Sequence, residues 1–199
     1  MTLNTWVAGN PGTMRAYAQQ VRAFGPATER VATSQHQVRK SAEAEWEGRA
    51  SEAFQNWASQ QGRDGDALAE LFPALAQAVD VWADQIDTVK ARMEQAKQVA
   101  REGDLQVVGD AIFRPKPFTQ GPPPPLQGNV PAADAKAHSD AVAAFHAAQQ
   151  AHARQEKAYA EAQATVTQAR ELEKTAHEQL IQALNANKAS LQGLSQSGA

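Results

Sequence analysis

The stretch EAEWEGRASEAF, Glu43 to Phe54, decides the fold. It places Trp46 and Gly48 two residues apart, the bulkiest side chain beside the most permissive backbone. Upstream, Asn10-Pro11 is a helix start, because Asn accepts from free N–H groups and Pro fits the first helical position. From there Met14, Tyr17, Val21, Phe24, Thr28, Val31, Gln35, Val38 and Ala42 recur with alternating gaps of three and four, one stripe on one helix face. Gly25-Pro26 interrupts the stripe without slipping its register, so a kink is expected there rather than two helices. Downstream of Gly48 a second stripe runs through Ala53, Trp57, Leu68, Leu75, Trp82, Ile86, Val89 and Met93 to Ala96. Its register also passes unbroken through Gly62, Gly65 and Pro73. One kinked helix is expected, with a loop near Gly62–Asp66 as the alternative. The quoted stretch is then the joint of an antiparallel helical hairpin. Gly48 supplies a backbone conformation that a Cβ resists, and the Trp46 ring is expected to seal the bundle end. Trp57 and Trp82, at helical spacing, are expected in the core with an exposed binding role as the lesser reading, and Trp6 is expected to staple the first helix.

After Gly103 the character changes. Leu105, Val107 and Val108 precede Gly109-Asp110, and Ala111, Ile112 and Phe113 follow, the pattern of a small β-hairpin. Two strands are marginal alone and need the helices for support. RPKPFTQGPPPPLQGNVP, Arg114 to Pro131, is dense in proline and favours an extended spacer or a surface-laid arm. From Ala132 to Leu191 there is neither Gly nor Pro. Phe145, His152, Tyr159 and Val166 fall seven apart, Ala148, Ala162, Ala169 and Ala176 lie on the neighbouring seam, and Leu172, Leu180, Leu184 and Leu191 carry the face onward. A single helix on the order of 80 Å is predicted; a two-helix hairpin is the alternative, without a turn signal to place it. The expected fold is therefore all-α, an elongated antiparallel bundle. It comprises a helical hairpin over 1–103, a β-hairpin and Pro-rich linker over 104–131, a coiled-coil-like helix over 132–192 packing on the hairpin, and a frayed tail over 193–199.

Composition narrows function. The formal net charge is −3 with mixed signs and no basic stripe, which argues against nucleic acid. No apolar run approaches the roughly 20 residues of a membrane span, so stable insertion is not expected. The N-terminus lacks the basic and apolar regions of a cleaved signal peptide. With no Cys there is neither disulfide nor thiol chemistry. His36, His138, His146, His152 and His177 do not fall at paired-ligand helical spacing, and no metal, cofactor or catalytic residue is assigned. His152 on the seam could make packing sensitive to pH.

AEWEGRASEAFQNW resembles the W-x-G turn of the WXG100 superfamily, with Trp46 and Gly48 at the matching positions. Nearly the whole chain is similar to the N-terminal domain of actinobacterial polymorphic toxins exported by type VII secretion. The similarity is carried in order by GNPGTMRAYAQQVRAF, WEGRASEAF, FPALAQAVDVWADQIDTVKARMEQA, LQVVGDAIFRP and YAEAQATVTQARELEKTAHEQLIQAL. The resemblance implies a non-enzymatic delivery module of a secreted effector. It implies recognition by the secretion machinery, a small WXG100-like partner, and a toxin domain following in a longer chain. Secretion or surface display without a cleaved signal follows from the same resemblance. The Y-x-x-x-D/E signal of such substrates is not matched, since Val21 follows Tyr17 and Gln163 follows Tyr159 at the fourth place. Trp57, Trp82, Phe145 and Tyr159 are the candidate packing or partner face. The third helix can fill the hairpin's stripe, so a monomer or weak homodimer is expected. Two other readings compete: a self-assembling or pore-forming envelope protein, and a cytoplasmic adaptor or chaperone for a secreted partner.

Overall fold

The computed structural model describes residues 2–197. The fold is all-α with one small sheet. Its elements are β1 (Thr2–Asn4), α1 (Pro11–Glu45), α2 (Arg49–Glu102), β2 (Val107–Val108), β3 (Ala111–Phe113) and α3 (Ala132–Ser197). Both interrupted stripes are continuous helices: α1 passes through Pro26 and α2 through Pro73. Helix α3 continues to Ser197, past the expected end at 192, so the frayed tail expected over 193–199 is helical to that point; 198–199 lie outside the described residues.

The chain forms two compact units, each assembled from separated stretches. One takes the chain up to Val7 and Val89–Glu171; the other takes Ala8–Thr88 and the chain from Leu172 onward.

In the first unit, β3 is the central strand. Val107 and Val108 pair with Ile112 and Ala111 across a two-residue loop led by Gly109, whose φ of +56° suits that place in a tight hairpin. On its other edge β3 pairs with β1, Leu3 opposite Ile112. The sequence reading lacked this third strand. Ile112 is fully buried and shares a core with Val89, Met93 and Ala96 of α2 and Tyr159, Ala162 and Val166 of α3. Asp110 ties the sheet together. Its carbonyl accepts from the Thr5 N–H at 2.8 Å and the Thr5 hydroxyl at 3.0 Å, and its carboxylate meets Lys97 Nζ at 3.2 Å. The Lys97 side chain is only 9% exposed and also reaches Glu94. Hydrogen bonding to Glu94 and then to Asp110 outweighs burial and raises its pKa above the usual lysine value.

Helix α2 ends in a left-handed cap. Asp104 takes φ +57°, its N–H reaches the Arg101 carbonyl, and the Leu105 N–H reaches that of Ala100. Gly103, one residue earlier, serves space: a Cβ there would collide with the Ala158 methyl of α3. Arg170 of α3 donates to the carbonyls of Asn4 at 3.0 Å and Trp6 at 2.7 Å, holding the N-terminal segment.

In the second unit, α1 and α2 run antiparallel along a seam of small residues. Ala18 and Val21 cluster with Ala76 and Val79. Gly25 faces Pro73, whose Cγ would stand 3.3 Å from an added Cβ, and Gly65 faces Ala32 at 2.8 Å. The residues that look like helix breakers are thus points of close approach. Gly62 admits the His36 ring, and His36 Nε2 lies 3.0 Å from Asp66. One flank carries ion pairs from Arg22 to Asp80 at 2.6 Å and from Arg15 to Asp84 and Asp87 at 2.6 and 2.7 Å. Asn10 caps α1 through the Thr13 N–H, with Pro11 in the first turn. Trp6, expected to staple this end, has an exposed ring.

Candidate partner-recognition surface

The reversal between α1 and α2 occupies three residues, Trp46 to Gly48. Trp46 leaves the helix in extended conformation while its N–H still reaches the Ala42 carbonyl at 3.0 Å. Gly48 then takes φ +97°, and a Cβ there would meet nothing within 4 Å. Backbone conformation alone therefore selects glycine at this position. Ser51, fully buried, donates its hydroxyl to the Trp46 carbonyl at 2.6 Å and starts the return helix in register.

The Trp46 ring does not seal the bundle end. It is 46% exposed and packs against Phe54, which packs in turn against Trp57, with centroid distances of 5.8 Å in both pairs. Trp57, expected in the core, is 52% exposed. Positions 54 and 57 are one helical turn apart, so α2 presents both rings on one face and the turn brings Trp46 beside them. The result is a surface aromatic cluster at the W-x-G joint. Phe54 was missed in the sequence reading, although its i,i+3 spacing from Trp57 was the available signal.

A second apolar surface lies along α1. Tyr17, Phe24, Val31 and Val38 recur every seven residues and are each 44–57% exposed. They were expected to be buried; the buried residues of α1 are instead Pro11, Ala18, Val21, Gly25 and Ala32. The intervening positions Gln20, Ala27, Ser34 and Ser41 carry no charge. Phe24 gains partial cover from Phe72, with ring centroids 5.6 Å apart.

The other assigned residues do not join this surface. Trp82 is buried beneath Gly9 and edge-on to His177, and its Nε1 is buried without a hydrogen-bond partner. Tyr159 is core in the first unit. Phe145 is half-buried and packs against Phe118 of the Pro-rich arm, ring centroids 5.8 Å apart. His152 binds the Lys116 carbonyl at 2.9 Å rather than lining a helix seam. Leu172, Leu184 and Leu191, expected to continue the buried face of α3, are exposed.

Among the described residues no group of three or more His, Asp or Glu could hold a metal ion. Two surface notches of the first unit have volumes of about 190 and 230 Å³, below the roughly 300–1,000 Å³ of small-molecule pockets. Among the described residues no helix is long and apolar enough to cross a membrane. Comparison with protein-family models, curated proteins and solved structures finds no match for this chain.

Proposed function

We propose that this chain is a non-catalytic delivery module of a secreted effector, recognised by type VII secretion machinery through its helical hairpin. The carrying observation is the exposed Trp46–Phe54–Trp57 cluster built on the Gly48 reversal. Aromatic side chains are stiff, amphipathic anchors that concentrate binding energy in protein interfaces. A joint that only turned the chain would need Gly48 and the Ser51 bond, and would gain nothing from two half-exposed indoles packed about Phe54. The uncharged stripe of Tyr17, Phe24, Val31 and Val38 adds a second surface suited to a small helical partner of WXG100 type. A toxin domain following in a longer chain would be the cargo.

The test fuses residues 1–199 to a reporter in an actinobacterium with an active type VII system, with and without its ATPase. Export should require the ATPase. Trp46→Ala should lower export at least tenfold while circular dichroism and melting temperature stay close to wild type. Export that survives loss of the ATPase sinks the proposal. A chain retained in the cytosol with its partner bound would favour the adaptor reading, which the exposed α1 stripe also suits.

A further inference from the structure

We infer that the arm between β3 and α3 is a presented polyproline ligand, read by an aromatic-lined, acid-edged groove on another protein. This inference is independent of the export reading. The arm holds seven of the chain's ten prolines, four of them consecutive at Pro122–Pro125. Each proline fixes its own φ, and Gly121, Pro122, Pro123 and Pro124 each precede a proline, which drives them from the helical region. These restraints favour a left-handed polyproline helix with three residues per turn.

Two features separate it from a bare spacer and from a packed strap. It is clamped. Phe118 lies between Phe145 and His152, at 5.8 and 5.6 Å between centroids. His152 Nε2 lies 2.9 Å from the Lys116 carbonyl, and His138 Nε2 lies 2.9 Å from the Pro124 carbonyl. A carbonyl oxygen only accepts, so each imidazole donates from Nε2. A spacer requires none of these ties. The tetraproline also faces outward. Pro122 and Pro125 share a ridge by the three-residue period and are both exposed, as are Pro124 and Leu126; only Pro123 turns partly inward. Among the described residues no donor reaches the carbonyls of Pro122, Pro123 or Pro125. A strap stabilising the fold would bury its ridge. This one holds it out, with its conformation already fixed and little ordering entropy left to lose on binding.

Charge narrows the partner. Residues 114–131 contain Arg114 and Lys116 and no carboxylate. Arg114 is engaged by Glu156 at 3.6 Å and lies over the Tyr159 ring. Lys116 is exposed and makes no ion pair among the described residues, leaving one free cation on the N-terminal side of the ridge. The matching groove has parallel aromatic side chains for the prolines, an N–H or O–H donor for their carbonyls, and a carboxylate at that edge.

The experiment titrates the full chain into ¹⁵N-labelled SH3, WW and EVH1 domains, three different grooves of this chemistry. At least one should show shifts confined to its aromatic groove. Pro122→Ala with Pro125→Ala should weaken that binding at least tenfold, and Lys116→Glu several-fold, both without moving the melting temperature. Phe118→Ala should free the arm and weaken binding several-fold with the ridge intact. Silence of all three domains at millimolar chain overturns the inference, as does a doubly substituted ridge that binds like wild type.

Discussion

The core beneath the sheet and the contact of α1 with α2 use side chains of different size. In the first, large side chains point inward: Met93, Ile112, Tyr159 and Val166 fill the space among two helices and a sheet. In the second, where α1 meets α2, Ala18, Gly25, Ala32 and Gly65 line the contact beside Val21 and Val79, and Tyr17, Phe24, Val31 and Val38 stay outside. Both stretches of sequence carry apolar residues at heptad spacing. What differs is the distance at which the elements approach. Glycine facing alanine draws two backbones together until no room remains for a large side chain between them, so the large ones move to the rim. A close seam thereby leaves large apolar side chains outside, whereas the core around Ile112 buries its own.

The sharpest way to test that contrast is truncation. Ile112→Ala removes a fully buried side chain from the central strand, and should cost about 2–5 kcal/mol in urea denaturation. Val31→Ala, of the same chemistry on the exposed rim, should stay within about 0.5 kcal/mol of wild type. Equal losses at the two sites would mean that the α1 rim is covered after all.

Enlargement probes the seam from the other side. Gly65→Val drives a branched side chain onto Ala32 in the seam; in the first unit, Gly103→Ala puts a methyl onto that of Ala158. Each should cost about 1–3 kcal/mol through overpacking, read as a fall in melting temperature. Chain entropy runs the other way, since replacing glycine by alanine at a compatible backbone conformation gains about 0.4–1 kcal/mol where space is open. A stabilised Gly103→Ala would therefore show that the two helices do not approach there as described.

These cases mark what the sequence made legible. The three helices, the unbroken register through Gly25-Pro26, Gly62 and Pro73, the Gly48 turn and the Gly109-Asp110 hairpin all rest on local chemistry. A stretch of a dozen residues carries that information. Strand β1 was invisible because three residues with one apolar side chain have no period, and its partner β3 follows two long helices in sequence. The buried face of α1 was misread because adjacent heptad stripes, one large and one small, are both helical. Choosing between them needs the facing glycines of α2. The same gap explains Trp57: its spacing suited a core, but the indole is half exposed and packs against Phe54 of its own helix. In the candidate surface, Trp46 and Gly48 could be placed from sequence. Their grouping with Phe54 depended on which way α2 turned its face.

Lys97 gives a smaller effect with a defined direction. Its folded pKa is raised above 10.5 by Glu94 and Asp110, so the pairing contributes fully below that pH and is lost as pH climbs through the folded value. Burying the ammonium costs hydration that its two half-exposed carboxylates only partly return, so Lys97→Met has no fixed sign near neutrality. The pH trend does have one. The melting temperature of Lys97→Met relative to wild type should hold constant from neutral pH to just below 10.5 and then move in favour of Met. A difference that ignores pH would mean that the ammonium is not held by the two carboxylates.

The smallest effect on folding belongs to the rim that the seam leaves outside. Phe24→Lys with Val31→Lys places two ammonium groups on a face where Gln20, Ala27 and Ser34 are uncharged. Both positions are more than half exposed, so the flexible lysine stems can keep their charges in water, and stability should change by no more than about 0.5 kcal/mol per site. Association should respond far more. A helical partner laid along this face would have to desolvate both ammonium groups without a counter-charge, and its affinity should fall at least a hundredfold, in line with about 3 kcal/mol or more for uncompensated interfacial charge. Size-exclusion chromatography with light scattering on the chain co-expressed with the small helical protein proposed above as its partner would read this directly. If the lysine variant melts like wild type and still co-purifies in full, the exposed stripe is a by-product of the glycine seam, and recognition has to rest on the Trp46–Phe54–Trp57 cluster alone.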